Sequence, residues 1–211
     1  MVNKVRRWLF RIFQECFIIF FLITVLFVIG IIIGSVTIKI LDANQKIEMI
    51  LFFNSFFKSI NSNSFNHITI LKQSLVDNFK TVGLIWILGI VFIGLPLIPI
   101  IILFRGFALG FTVGFLVHEY GINGLAFSIL GILPQNLFII PGIISIASIG
   151  LTFSINSIKM RRLRIIKNNI FSRIIDYTIT FFIFNITILI GSIIEGYVSP
   201  IFLKMLTGYL N

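Results

Sequence analysis

Charge is scarce in this chain: 11% of its residues are Asp, Glu, Lys or Arg, against about 25% in soluble domains. A water-soluble fold of 211 residues has too little interior to hide so much apolar surface. The scarcity therefore excludes an aqueous globular protein and leaves lipid as the solvent, as does the mean hydropathy of +1.10. Cysteine is almost missing. Cys16 stands alone, so no intrachain disulfide and no cysteine metal site can form. It reads as a buried structural residue at the start of the first apolar run. Acidic residues are few, 7 against 17 basic, and the formal net charge is +10. That excess does not indicate nucleic acid, because the basic residues flank apolar runs instead of forming a basic domain. Histidine occurs only at positions 67 and 118. There is no His-Glu-x-x-His, no phosphate loop and no Gly-x-Ser-x-Gly, so neither a catalytic set nor a cofactor site is legible, and we read a non-enzyme.

What is present is a series of long apolar runs. A helix needs about 20 apolar residues to cross the hydrocarbon core. Cys16 to Ile38 meets that length after the basic segment Lys4, Arg6, Arg7 and Arg11. A signal peptide has this order of parts but an apolar core of only about 7–15 residues, so the run reads as a retained anchor. Further runs are Thr81 to Phe104, Gly106 to Val117, Gly121 to Ile158 and Tyr177 to Ile194. Lys159, Arg161, Arg162, Arg164, Lys167 and Arg173 form a second basic cluster. The positive-inside rule places both clusters in the cytoplasm, with Arg105 in a short cytoplasmic turn between the second and third runs. Gly121 to Ile158 must then cross an odd number of times. We expect a re-entrant or interfacial helix over 121–133, a turn at Pro134–Pro141 and a span over 141–158. The fold class is an all-α polytopic bundle of about five spans plus that re-entrant or broken helix. It forms a single membrane domain with residues 1–15 and 159–176 inside and 39–80 and 195–211 outside.

Lys39 to Lys80 is the sizeable polar segment. Within it Met49, Phe53, Phe56, Phe57 and Ile60 recur at helical spacing. After a polar break at Asn61–Asn66, Ile68, Leu71, Leu75, Val76 and Phe79 form a second stripe, with Lys72, Gln73, Asp77 and Asn78 on its other side. Two amphipathic helices follow from this. They either lie on the membrane or cap the bundle, or they dock an extracytoplasmic partner through Phe53, Phe56, Phe57, Leu71, Leu75 and Phe79.

Gly106, Gly110 and Gly114 fall on one helical face, and Gly30 and Gly34 form a similar pair in the first run. Such spacing lets helix backbones approach closely in lipid. Arg105, His118, Glu119 and Glu195 fall near span ends, where they read as anchors and polar turns. Gln135 and Asn136 follow Pro134 inside a long uncharged run. With Pro141 they mark a helix break whose amides either satisfy freed backbone groups or bind a ligand.

Two motifs carry a family resemblance. Arg-Gly-Phe-Ala-Leu-Gly-Phe-Thr-Val-Gly from Arg105, and Ile-Leu-Pro-Gln-Asn-Leu-Phe-Ile-Ile-Pro-Gly from Ile132, resemble the stage II sporulation protein M family. The wider membrane family often carries Pro-His-Gly-x-x-Glu-x-Pro at the second motif. Here Gln135 and Asn136 replace His-Gly and Ile139 replaces Glu, a form that resembles the sporulation branch. The resemblance implies a non-enzymatic scaffold in the mother-cell membrane at the sporulation septum. It implies as partners the stage II sporulation proteins D, a lytic transglycosylase, and P, an amidase and endopeptidase. A small transporter or channel with its site at Pro134–Pro141 is the alternative.

Overall fold

The computed structural model describes residues 2–61, 67–91, 94–162 and 170–209, and all regular structure among them is helical. Helix α1 spans Val2–Thr37 and ends in a 3-10 turn, Ile38–Ile40. Then come α2 (Ala43–Asn61), α3 (His67–Ile90), α4 (Gly94–Phe127), a π turn (Ser128–Ile132), α5 (Leu133–Arg162) and α6 (Ile170–Tyr209). Among the described residues, three segments are long and apolar enough to cross a membrane: Phe17–Ile40, Gly94–Lys159 and Phe171–Phe202. Several hydroxyls inside them are satisfied one turn back, although the buried Ser154 Oγ has no partner among the described residues. Thr24, Thr112 and Ser148 donate to the carbonyls of Phe20, Ala108 and Ile144 at 2.8, 2.9 and 2.7 Å. A helix can thus carry these residues through lipid without an unpaired polar group.

The chain turns between α3 and α4 at Val91–Gly94, not at Arg105. The Gly94 N–H donates to the Val91 carbonyl at 3.0 Å, and a Cβ on Gly94 would run into the Leu88 carbonyl. Pro96 sits in the first turn of α4, where its missing N–H costs nothing. Pro96 therefore helps to begin a helix, while Pro99 lies inside α4. Arg105, expected in a turn between spans, lies in the interior of α4. The second amphipathic helix expected in the outer loop is the first half of α3, which continues into the apolar run after Lys80.

Gly121, at φ 57° and ψ −131°, is the one non-helical residue within α4. The bend folds the chain back so sharply that a Cβ on Gly124 would strike the Leu116 carbonyl. The helix after it returns antiparallel to α4, bringing Gly150 near Ile98. Gly121→Ala meets no neighbour within 4 Å, so its whole cost is backbone strain. We expect a loss of about 1–3 kcal/mol, read as a lower unfolding midpoint of the purified protein.

The segment 121–133 is not a separate re-entrant piece, and Pro134–Pro141 is not a turn. The helix runs from Ile122 through the π turn into α5, with Pro141 inside it. The π turn lies immediately before Pro134, where the helical ladder loses a donor, and the wider turn absorbs that loss. Likewise, residues expected as an outer tail from Glu195 continue α6 to Tyr209.

The core joins α1, α3, α4, α5 and α6 through Ile23, Val82, Ile85, Ile98, Ile102, Ile143, Ala147 and Ile188. One end of the bundle is tied by Tyr177, whose hydroxyl donates to the Trp86 carbonyl at 3.2 Å and whose ring stacks on Phe153 at 4.7 Å. At the other end, α2 lies over the end of α4. Phe53 stacks on Phe115 at 5.3 Å, and the Tyr120 hydroxyl donates to Asn54 Oδ1 at 3.1 Å.

Candidate functional site

Polar side chains from three helices meet inside the bundle. On α3, Ser74, Asn78 and Thr81 follow one another at helical spacing, and on α6 Ser192, Glu195 and Ser199 do the same. Arg105 reaches them from α4. Its Nη2 donates to Thr81 Oγ1 at 2.8 Å and to Asn78 Oδ1 at 3.1 Å. Asn78 Nδ2 donates to Ser192 Oγ at 3.1 Å and to Ser74 Oγ at 3.3 Å. Ser74 Oγ in turn donates to Glu195 Oε2 at 2.6 Å. Arg105 and Glu195 are thus joined through a neutral relay, with no ion pair between them among the described residues.

These groups border a cavity of about 590 Å³, within the range of small-molecule sites. Gln73, Ser74, Asp77, Asn78, Arg105 and Glu195 supply the polar wall. Gln135 and Asn136 enter from α5. Gln135 Oε1 accepts from Ser199 Oγ, and Asn136 Nδ2 donates to the Ile132 carbonyl at 2.8 Å, inside the π turn. The Asn136 amide thus bonds back to its own helix at the end of the π turn, while Gln135 faces another helix. Ile139, Ile143 and Ile144 form part of the apolar wall. Asp77 stays at the surface, where Gln73 Nε2 donates to it at 2.9 Å and Lys80 lies 4.0 Å away.

In sequence, Arg105 and Glu195 fall near expected span ends, as separate anchors. The structure brings them to one cavity. Asn78, Ser74, Thr81 and Ser192 were not singled out as a site. The signal was present: two stripes of small polar residues on otherwise apolar helices, each needing the other to satisfy its hydrogen bonds. His118 and Glu119 remain a local pair, 2.8 Å apart and away from the cavity lining. Among the described residues no group of His, Cys, Asp and Glu could hold a metal ion.

The glycines of α1 and α4 face each other. A Cβ on Gly30 or Gly34 would meet the carbonyls of Leu103 or Phe107. One on Gly106 or Gly110 would meet those of Phe27 or Ile31, and one on Gly114 would meet Ser35 and Ile38. This close approach holds Arg105, the neighbour of Gly106, at fixed depth and rotation.

The residues expected to dock a partner are divided. Phe53 is 8% exposed and belongs to the small core with Ile38, Phe115 and Leu116, so it is unavailable at the surface. Leu71 packs on Gly196 of α6, Leu75 is half-buried, and Phe79 is exposed. The side chains of Phe56 and Phe57 lie outside the described residues, as do those of Arg6, Arg7, Arg11, Arg161 and Arg162, and the whole of Arg164. The apolar residues that α2 leaves open are Ile47, Leu51 and Phe52, at 54%, 63% and 62% exposure. The helix is apolar on more than one side, and of the stripe that periodicity names, Met49 and Phe53 pack on the bundle.

No curated protein and no solved structure matches the chain. The model of the stage II sporulation protein M family matches residues 23–200, most of the chain and all of the helices that build the cavity, and the protein belongs to that family.

Proposed function

We propose that this protein is a membrane scaffold that gathers and localises peptidoglycan-degrading enzymes for forespore engulfment. Family membership implies a role in the second stage of sporulation. The reading rests on one observation above others. Helix α2 is pinned to the bundle on its Phe53 and Asn54 side and leaves Ile47, Leu51 and Phe52 open. An exposed apolar row on a rigidly held amphipathic helix is suited to docking a partner. The partners in this reading are the stage II sporulation proteins D and P. Tethering would raise the effective concentration of weakly associating enzymes at one membrane site.

The orientation that goes with this role has a cytoplasmic N-terminus and five crossings: α1, α4, the returning helix through α5, and α6 as apolar spans, and α3 as a less apolar one whose Ser74–Asn78–Thr81 stripe the other helices cover. The turn at Val91–Gly94 takes the place of one at Arg105 and leaves the parity unchanged. The basic cluster from Lys159 then stays inside, and α2 lies outside in the space between the mother-cell membrane and the forespore.

The test is cross-linking of tagged protein in sporulating cells of its own host. Recovery of a lytic transglycosylase and an amidase is expected. Leu51→Asp and Phe52→Ser should lower that recovery about tenfold or more, as loss of buried apolar anchors does, while leaving the amount of folded protein unchanged. Recovery of neither enzyme with well-folded wild-type protein overturns the scaffold. The transporter alternative draws on the cavity that Gln135 and Asn136 help to line. Gln135→Ala separates the two, since a scaffold keeps its partners when that amide is removed.

A further inference from the structure

We propose that the central cavity binds a zwitterion: a ligand with an ammonium group and an oxyanion on a short linker, and an apolar portion beside them. The inference starts from incomplete bonding of two opposite charges. Arg105 uses Nη2 for its contacts with Asn78, Thr81 and the Asp77 carbonyl, while Nη1 and Nε have no partner among the described residues. Glu195 accepts from Ser74 at Oε2, and its Oε1 likewise has none. Both residues line the same cavity.

A charge held at membrane depth without a partner is costly, and a nearby opposite charge is the usual remedy. Here the two opposite charges are held apart by the Asn78–Ser74 relay instead of closing on each other. A ligand carrying both signs completes both: its oxyanion on the open guanidinium edge, its ammonium on the open carboxylate oxygen. A ligand of one sign cannot, because each site repels what the other attracts. The other carboxylate of the lining, Asp77, sits on the cavity's outer side, where Gln73 donates to it and Lys80 lies 4.0 Å away, so Glu195 is the carboxylate on the inner side facing Arg105.

The rest of the wall fits the rest of such a ligand. Leu109, Ile139, Ile140 and Ile143 offer apolar surface, and the Gln135 amide adds a neutral polar group. Arg105 lies 11 residues into α4 from Gly94, about 16 Å along the helix, so the half-buried site is well away from that end of α4. This chemistry has two sources, the headgroup of an aminophospholipid such as phosphatidylethanolamine or a soluble zwitterion such as an amino acid.

The experiment uses purified full-length protein in nanodiscs of phosphatidylcholine doped with phosphatidylethanolamine or phosphatidylglycerol, read by native mass spectrometry. A second arm titrates leucine or phosphoethanolamine, read by the thermal unfolding midpoint. Retention of phosphatidylethanolamine about tenfold above phosphatidylglycerol assigns the site to lipid, about one charge-assisted contact in strength. A midpoint raised by the soluble compounds without lipid preference assigns it to a free zwitterion. Glu195→Gln, which keeps an oxygen for Ser74, should abolish the preference for the zwitterion, and Arg105→Gln, which removes the oxyanion contact common to both lipids and to the soluble compounds, should abolish binding itself. Arg105→Lys should retain part of it. Equal retention of the two lipids together with no response to the soluble zwitterions overturns the proposal. So does discrimination that survives Glu195→Gln.

Discussion

Gly110→Leu is expected to part α1 from α4 and to cost about 3 kcal/mol or more. At this glycine the Ile31 carbonyl and Cα occupy the space a side chain would need. Backbone atoms cannot rotate away as the tip of a long side chain can, so the two helices must separate along their seam. Separation takes the neighbouring contacts with it. Gly106 meets the Phe27 carbonyl one turn away, and Gly30 and Gly34 meet α4 from the other side. Without a hydrophobic drive between helices in lipid, this close packing is what holds α1 in place. The measurement is the unfolding midpoint of purified protein in detergent or bicelles. Gly83→Ala is the matched control: a Cβ there meets nothing within 4 Å. Removing a flexible glycine from a helix interior should leave stability unchanged or raise it by about 1 kcal/mol. If the two variants unfold alike, the glycine face does not set the α1–α4 distance.

Asn78→Leu is expected to destabilise by about 2–4 kcal/mol, and the loss should shrink when Arg105→Met is added. Asn78 is buried and is the junction of the network, accepting from Arg105 and donating to Ser74 and Ser192. Replacing it with an apolar side chain of similar size removes one partner from each and partly strands the Arg105 guanidinium, which keeps only Thr81 and the Asp77 carbonyl. An orphaned buried polar group costs its full desolvation, and a charged one costs more. Removing both ends leaves apolar packing where the stranded charge was, so the double variant should be less damaged than the sum of the singles by about 1–3 kcal/mol. Unfolding midpoints of the four proteins in the cycle decide it. Simple additivity would mean that Arg105 and Asn78 act independently.

The helical class, the apolar runs and the glycine spacings were legible because each is a local pattern: a run of length, or a repeat every four residues. The place of the turns was not. Arg105 looks like a turn marker because lipid normally expels an arginine, and that inference fails when other helices bring Asn78, Thr81 and Glu195 to meet it. Charge position alone cannot tell a snorkelling end from a partnered interior. Pro134 and Pro141 looked like a break for a similar reason. A missing donor opens a helix only where nothing absorbs it; for Pro134 the π turn at Ser128–Ile132 does so, and α5 continues through Pro141. Phe53 was legible as apolar and helical, yet its place in the core beside Phe115 depends on a residue far along the chain. The true turn at Val91–Gly94 carried one faint signal, a glycine two residues before Pro96.

The partnership of α1 with α4 also dictates an order of assembly. Gly34 leaves the ribosome about 76 residues ahead of Gly110, its counterpart across the seam. At about 5–20 residues per second this is a wait of roughly 4–15 seconds, long compared with helix formation. Throughout it, α1 stands in the bilayer with a glycine groove facing lipid, while α2 and α3 are made without closing that groove. Newly made α1 is therefore an intermediate with an open mate-binding face, and its correct closure is a matter of timing as well as of shape. Slowing translation between Asn61 and Gly94 would lengthen that exposure and favour pairing of α1 with another copy of itself; hastening it would favour the native seam.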